Sequence, residues 1–165
     1  MNVAVCATCQ KPKAHFLCGV CQETICKQCV HFLEEGSFSF LKKIPDDLNK
    51  STYCGSCFEE RVVPELKNYD HVMTLAREVS VFLKSQGKET RLIKRLEDPI
   101  RVTDCADKEE ILLRLAFLTV QAGFDTLVDV EITSEKVREG GYQRSKWQAS
   151  GVPARVRRPT SLLPN

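Results

Sequence analysis

Long apolar runs and histidines are scarce in this chain. No run reaches the ~18 apolar residues that a membrane-spanning helix needs. The first residues, MNVAVCATCQKPK, show no basic stretch followed by an apolar core, so a secretory signal is not expected there and a cytoplasmic, reducing setting is. Only three histidines occur in the 165 residues, none of them after His71, so no Ser/His/Asp set can assemble from the C-terminal half. With no catalytic constellation in either half, the chain is not expected to be an enzyme. The length suits one medium domain or two small ones. Hydrophobic residues (42%) and charged residues (28%) stand in ordinary globular proportion.

Cysteine, by contrast, is abundant. Eight of the nine fall into four Cys-x-x-Cys pairs: Cys6/Cys9, Cys18/Cys21, Cys26/Cys29 and Cys54/Cys57. Each pair can supply half of a tetrahedral thiolate site, with Zn–S near ~2.3 Å, so four pairs make two sites. In a reducing compartment such spacing favours metal over disulfides. Thioredoxin-type redox chemistry needs one pair at the start of a helix, and iron–sulfur clusters use different spacings. The expected cofactor is therefore zinc, two ions, chosen for ligand softness and tetrahedral count. Two sites of four thiolates leave no open coordination position and so hold a shape. Loop lengths permit two pairings of the pairs: adjacent, giving successive ribbons, or interleaved, giving a cross-brace.

The order of the eight cysteines, with four residues between Cys21 and Cys26 and a long gap before Cys54, resembles the FYVE-type branch of the cross-brace zinc fingers, and overlaps the RING and B-box relatives. The resemblance covers residues ~3–62. It implies that Cys6, Cys9, Cys26 and Cys29 bind one ion (site 1) and Cys18, Cys21, Cys54 and Cys57 the other (site 2). It also implies two classes of role besides a protein-binding adaptor. One is phosphoinositide or membrane-surface binding, for which Lys11, Lys13 and His15 are a partial basic motif without arginine. The other is a RING-like ubiquitin-type ligase component, although the histidine usual among the middle ligands is replaced by Cys21. His31 reads as a surface residue or a neighbour of the ligands, and His15 as a packing residue or such a neighbour, since eight thiols already fill two sites.

The expected fold class is α+β: a small two-zinc module, a connecting helix, and a small α/β domain with a buried helix on an antiparallel sheet. The boundaries are 1–62 for the zinc finger, 63–88 for the helix, 89–152 for the strand–helix–strand–strand domain and 153–165 for a disordered tail. Between Cys29 and Cys54, Phe32, Leu33, Phe38, Phe40, Leu41 and Ile44 are expected to pack under the zinc sites, or else to present an apolar knob beside Lys42 and Lys43 to a partner or a membrane surface. Val72, Leu75, Ala76, Val79, Phe82 and Leu83 form a helical stripe, with the helix expected to reach about Gln86; its apolar face suits internal packing or self-association. RLIKRLEDPIRVTD reads as one or two strands broken near Pro99. DKEEILLRLAFLTVQAG reads as a helix capped by Asp107 and Glu110 and ended by Gly123. FDTLVDVEIT alternates, placing Thr126, Val128, Val130 and Ile132 on one face, and Gly140-Gly141 turns the chain into a return strand, YQRSKWQASG. The pattern over ~90–152 more weakly resembles small bacterial domains described as heavy-metal binding. Its one cysteine, Cys105, reads as a buried apolar residue.

Charge is polarised in this half. Residues 104–135 hold eight acids and two bases, and residues 136–158 hold seven bases and one acid. Lys136, Arg138, Arg144, Lys146, Arg155, Arg157 and Arg158, with Tyr142 and Trp147, suit nucleic acid. The plainer reading is cross-strand pairing with Asp129, Glu131 and Glu135. The net charge of +2 carries no argument, because eight thiolates on two Zn²⁺ ions would turn it to −2.

Overall fold

The computed structural model describes residues 4–156. Within the chain two compact units separate, one up to His71 and one from Val72. The mixed α+β class expected from the sequence is what the chain adopts.

In the first unit, short strands alternate with cysteine turns. β1 (Ala14–Leu17) pairs antiparallel with β2 (Thr24–Cys26). β3 (His31–Phe32) pairs antiparallel with β4 (Thr52–Tyr53), closing the long loop between them. The loop is a layer of core. Leu33, Phe38 and Leu48 are buried, and Leu41 and Ile44 are half-buried against the same cluster. Tyr53 is fully buried, and its hydroxyl donates to the Asp47 carbonyl at 2.7 Å. A module of this size has little apolar interior, so one large aromatic inside it counts for much.

After β4 the chain turns helical without a break: α1 (Gly55–Cys57), a π-helical turn (Phe58–Val62) and α2 (Val63–Ala76). Pro64 lies inside this run and has no N–H to donate, and the turn before it is π-helical, the Val63 amide donating to the Phe58 carbonyl. Arg61 donates from Nε and Nη2 to the two Asp47 carboxylate oxygens, at 2.6 and 3.2 Å, and from Nη1 to Glu65 at 3.0 Å.

The helix does not reach Gln86. It ends at Ala76, and Ser80–Leu83 is a strand, β5. The apolar stripe that continued through Val79, Phe82 and Leu83 serves a strand equally well, because four residues are too few to separate the two periods. What decides it is a partner more than forty residues away. β5 pairs in parallel with β7 (Thr126–Glu139), Ser80 opposite Thr126.

The second unit is thus a four-stranded sheet of order β5-β7-β8-β6, with β6 spanning Ile100–Cys105 and β8 spanning Tyr142–Ala154. The sheet is mixed and not purely antiparallel, since β5 joins it in parallel. Of RLIKRLEDPIRVTD only the part after Pro99 is a strand. β8 also runs past residue 152, and Pro153 and Ala154 are buried within it. The remainder of the expected tail, residues 157–165, lies outside the described residues. α3 (Lys108–Gln121) begins as read: the Asp107 carboxylate accepts from the Glu110 amide at 2.7 Å, and the Glu110 carboxylate accepts from the Ala106 amide at 3.3 Å. Ile111, Leu115 and Phe117 are fully buried, and Gly123 leaves the helix at φ +88°.

The alternation expected along β7 fails at one residue. Asp129 has φ +52°, and the register with β8 shifts between Val128 and Glu131. Beyond this bulge the faces exchange. Val130 and Leu127 therefore both lie over Gly151, where a Cβ would meet them at 3.0 and 3.2 Å. Arg95 holds the bulge, donating from Nε and Nη2 to the Asp129 carboxylate at 2.6 and 3.0 Å.

Candidate metal centre

The first two cysteine pairs are built alike. Each forms the tip of a small hairpin, closed by Val5 opposite Pro12 in one and by Leu17 opposite Thr24 in the other. In the first tip the Cys6 amide donates to the Lys11 carbonyl and the Gln10 amide to the Cys6 carbonyl, both at 2.9 Å. In the second, Cys18 donates to Glu23 and Gln22 to Cys18, both at 3.0 Å. The residue after the second cysteine must be left-handed to close this turn: Gln10 and Gln22 both have φ +62°. Glycine is the residue such a position favours, so the two glutamines gave no sign of it in the sequence.

The last two pairs are helical turns. The amides of Cys29 and Val30 both donate to the Cys26 carbonyl at 3.1 Å. Cys54 caps α1, with its sulfur accepting from the Cys57 amide at 3.5 Å and its carbonyl from the Phe58 amide at 2.9 Å.

A threonine two residues upstream joins each helical turn to one hairpin tip. Thr24 Oγ1 donates to the Val5 carbonyl at 2.7 Å, and the Thr24 carbonyl accepts from the Ala7 amide at 2.9 Å. Thr52 Oγ1 donates to the Leu17 carbonyl at 2.7 Å, and its carbonyl accepts from the Gly19 amide at 2.9 Å. The segments TICKQC (24–29) and TYCGSC (52–57) are therefore one motif used twice. Their second residues, Ile25 and Tyr53, are both fully buried. This repeat was visible in the sequence as Thr-apolar-Cys-x-x-Cys, and the cysteine spacing alone did not bring it out.

The threonine bonds run between the same pairs that share a quartet. Cys6, Cys9, Cys26 and Cys29 come together, and so do Cys18, Cys21, Cys54 and Cys57, with the four sulfurs of each quartet within 4.8 Å of one another. Cys9 and Cys26 sulfurs lie 3.6 Å apart, and those of Cys21 and Cys54 lie 3.9 Å apart. Two ligands at ~2.3 Å from a tetrahedral ion would stand about 3.8 Å apart, so each quartet could hold a metal ion. The arrangement is interleaved, as the cross-brace reading requires.

The electrostatics of each quartet point the same way. In site 1 backbone amides of Cys26 and Cys9 bring the Cys6 thiol down to about 6, from an ordinary 9.0, while contact with the Cys26 and Cys9 sulfurs pushes Cys29 up to about 12. In site 2 burial works against ionisation of Cys18, but amides of Cys54, Cys21 and Val20 outweigh it and hold that thiol at about 6. Burial and the neighbouring sulfurs raise Cys57, and burial raises Cys21. Burial also works against ionisation of Cys26, but amides of Gln28 and Cys29 outweigh it and lower that thiol. The backbone thus prepares two thiolates in site 1 and one in site 2, while burial and crowding oppose ionisation of Cys29, Cys21 and Cys57. A divalent cation at the centre removes that opposition.

Neither His15 nor His31 belongs to a quartet. His31 stacks on Phe58, ring centres 5.0 Å apart. Cys105 lies buried in the second unit, its thiol raised by burial, and joins no metal-ligating cluster among the described residues.

No protein-family model matches this chain. No curated protein and no solved structure matches it either. Among the described residues, no helix is long and apolar enough to cross a membrane.

Proposed function

We propose that the first unit is a structural double-zinc module of cross-brace, FYVE-like type, and that the protein is a non-catalytic binding adaptor with a protein partner. The observation that carries this reading is the interleaving of two quartets in which all eight paired thiols are used. Four cysteine ligands leave no position for water or substrate, which favours a structural over a catalytic ion. Zinc is the ion that four soft, tetrahedrally placed thiolates select best. Binding it contributes on the order of 10 kcal/mol per site to the folding of a module with little core.

The surface of the module supports a protein partner over a lipid head group. Phe32 and Leu17 are 61% and 59% exposed, and Phe16 meets Phe32 edge-to-face at 5.6 Å. Exposed aromatic and aliphatic groups of this kind are typical of interface centres.

Metal analysis with native mass spectrometry tests the core of the proposal. Two zinc ions per chain are expected, with loss of the first unit's fold on chelation. One ion, none, or a coloured iron-containing protein sinks it. For the partner, a photo-crosslinker at position 17 should capture a protein, and Phe32→Ser in the same chain should abolish capture while zinc stays at two.

A further inference from the structure

The β7–β8 hairpin outruns the sheet that carries it. β6 pairs with β8 only as far as Cys105 opposite Trp147, whereas β7 and β8 continue to Glu139 opposite Tyr142. From Ser134 to the Gly140-Gly141 turn the hairpin is a free two-stranded ribbon, about 20 Å long at ~3.3 Å per residue. Val137, Lys146 and Trp147 are half-buried, and the rest of the ribbon is exposed.

Cross-strand partners share a face, so the register sorts the side chains of the ribbon. One face carries Glu135 opposite Lys146, Val137 opposite Arg144, and Glu139 opposite Tyr142. Its charges are matched. Arg144 pairs with Glu139 at 2.8 Å, and Lys146 with Asp104 at 3.5 Å. Cross-strand and neighbouring acids thus account for the bases on this side.

They do not account for the other face. It carries Ser134 opposite Trp147, Lys136 opposite Ser145, and Arg138 opposite Gln143. No acid stands on it, and neither Lys136 nor Arg138 makes an ion pair among the described residues. The acids at the start of α3 follow Cys105, at the level of Trp147. Lys136 lies two rungs beyond that level, about 7 Å, and Arg138 four rungs, about 13 Å. Both side chains are exposed.

We propose that this face of the ribbon binds duplex nucleic acid through its phosphates, as a second interaction surface separate from the zinc module. The charge is complementary, the flanking Ser145 and Gln143 can hydrogen-bond phosphate oxygens, and a two-stranded ribbon is one of the elements a major groove admits. Nothing on the face reads a base, so the binding is governed by charge and not by sequence.

Fluorescence anisotropy of the full-length, zinc-loaded protein with a labelled 24-base-pair duplex, measured over a salt series, tests this. Binding is expected at 50 mM salt and should weaken steeply as salt rises. The slope of log K against log salt should fall by about 2 in Lys136→Gln/Arg138→Gln, because each lost phosphate contact removes about 0.9. Affinity at 0.1 M salt should drop at least tenfold. Lys11→Gln/Lys13→Gln removes the same net charge elsewhere and should change affinity less than twofold. Absence of binding at 50 mM salt, equal loss in the two double variants, or binding to anionic vesicles but not to the duplex would each overturn the proposal. A thermal melt of each variant reports that the exposed substitutions leave the fold intact.

Discussion

Thr24 and Thr52, twenty-eight residues apart, make the same two hydrogen bonds to the two halves of one repeated motif. Each donates from its hydroxyl to the carbonyl just before the first cysteine of a hairpin tip, and each accepts from the amide just after that cysteine. Thr24→Val and Thr52→Val keep shape and strand preference but remove the donor. Each should cost about 1 kcal/mol, the net worth of an ordinary hydrogen bond. Chelator competition should then show weaker binding at site 1 for the first variant and at site 2 for the second. Equal weakening of both sites by either variant would show that the threonines do not act on their own quartets.

Quartet membership can be read directly. Cys29→Ser should lower bound zinc from two to one. Alkylation of the one-zinc species followed by mass mapping should then label Cys6, Cys9 and Cys26, and leave Cys54 and Cys57 protected. Labelling of Cys54 and Cys57 instead would mean that adjacent pairs share an ion.

Gly19 is needed for space. A Cβ there would lie 2.5 Å from the Cβ and 2.7 Å from the Cγ of Lys50, and 3.0 Å from the Tyr53 ring. The obstructing lysine atoms are close to the backbone and cannot swing aside. Gly19→Ala should destabilise the first unit by about 1–3 kcal/mol, as overpacking usually does. Chemical denaturation at saturating zinc measures this. A midpoint unchanged from the parent protein would remove the steric argument.

The Arg95–Asp129 pair gives the second unit a dependence on acid. The Arg95 guanidinium holds the Asp129 carboxyl below its ordinary 3.8, chiefly through the direct hydrogen bonds. A depressed carboxylate stabilises the folded chain fully above the unfolded value, and that contribution disappears as pH falls through the folded one. Carboxyl carbon NMR should therefore show Asp129 titrating below 3.8 in the parent protein, and nearer the ordinary range in Arg95→Met. Coincident titration in both would show that Arg95 does not set it.

The cysteine quartets were legible because a thiol has few reasons to recur in pairs, and the loop lengths admitted both adjacent and interleaved combinations. The choice between those two is seen only in contacts such as those of Thr24 and Thr52, whose bonds join residues far apart in the chain. Asp107, Glu110, Gly123 and the Gly140-Gly141 turn were equally legible, because caps and turns act within a few residues of themselves. β5 was not. Val79, Phe82 and Leu83 satisfy a helix or a strand, and the arbiter is β7. The bulge at Asp129 was hidden for a similar reason: a left-handed aspartate looks like any other until an arginine thirty-four residues upstream is seen to hold it.

Interleaved ligands impose an order of assembly on a chain made from its N-terminus. By the time Cys29 has left the ribosome, six thiols are out and Cys54 and Cys57 are not. The first quartet can close at once. Cys18 and Cys21 must wait for the long loop to be synthesised, beside a filled site and with no partners of their own. An ion captured early by Cys6, Cys9, Cys18 and Cys21 would have to be surrendered for Cys26 and Cys29 to take their places. A nascent chain that takes up metal would therefore risk trapping an ion in the wrong quartet, and the Thr24 bonds to Val5 and Ala7, which need no residue beyond position 24, would favour the cysteines of site 1 over that error.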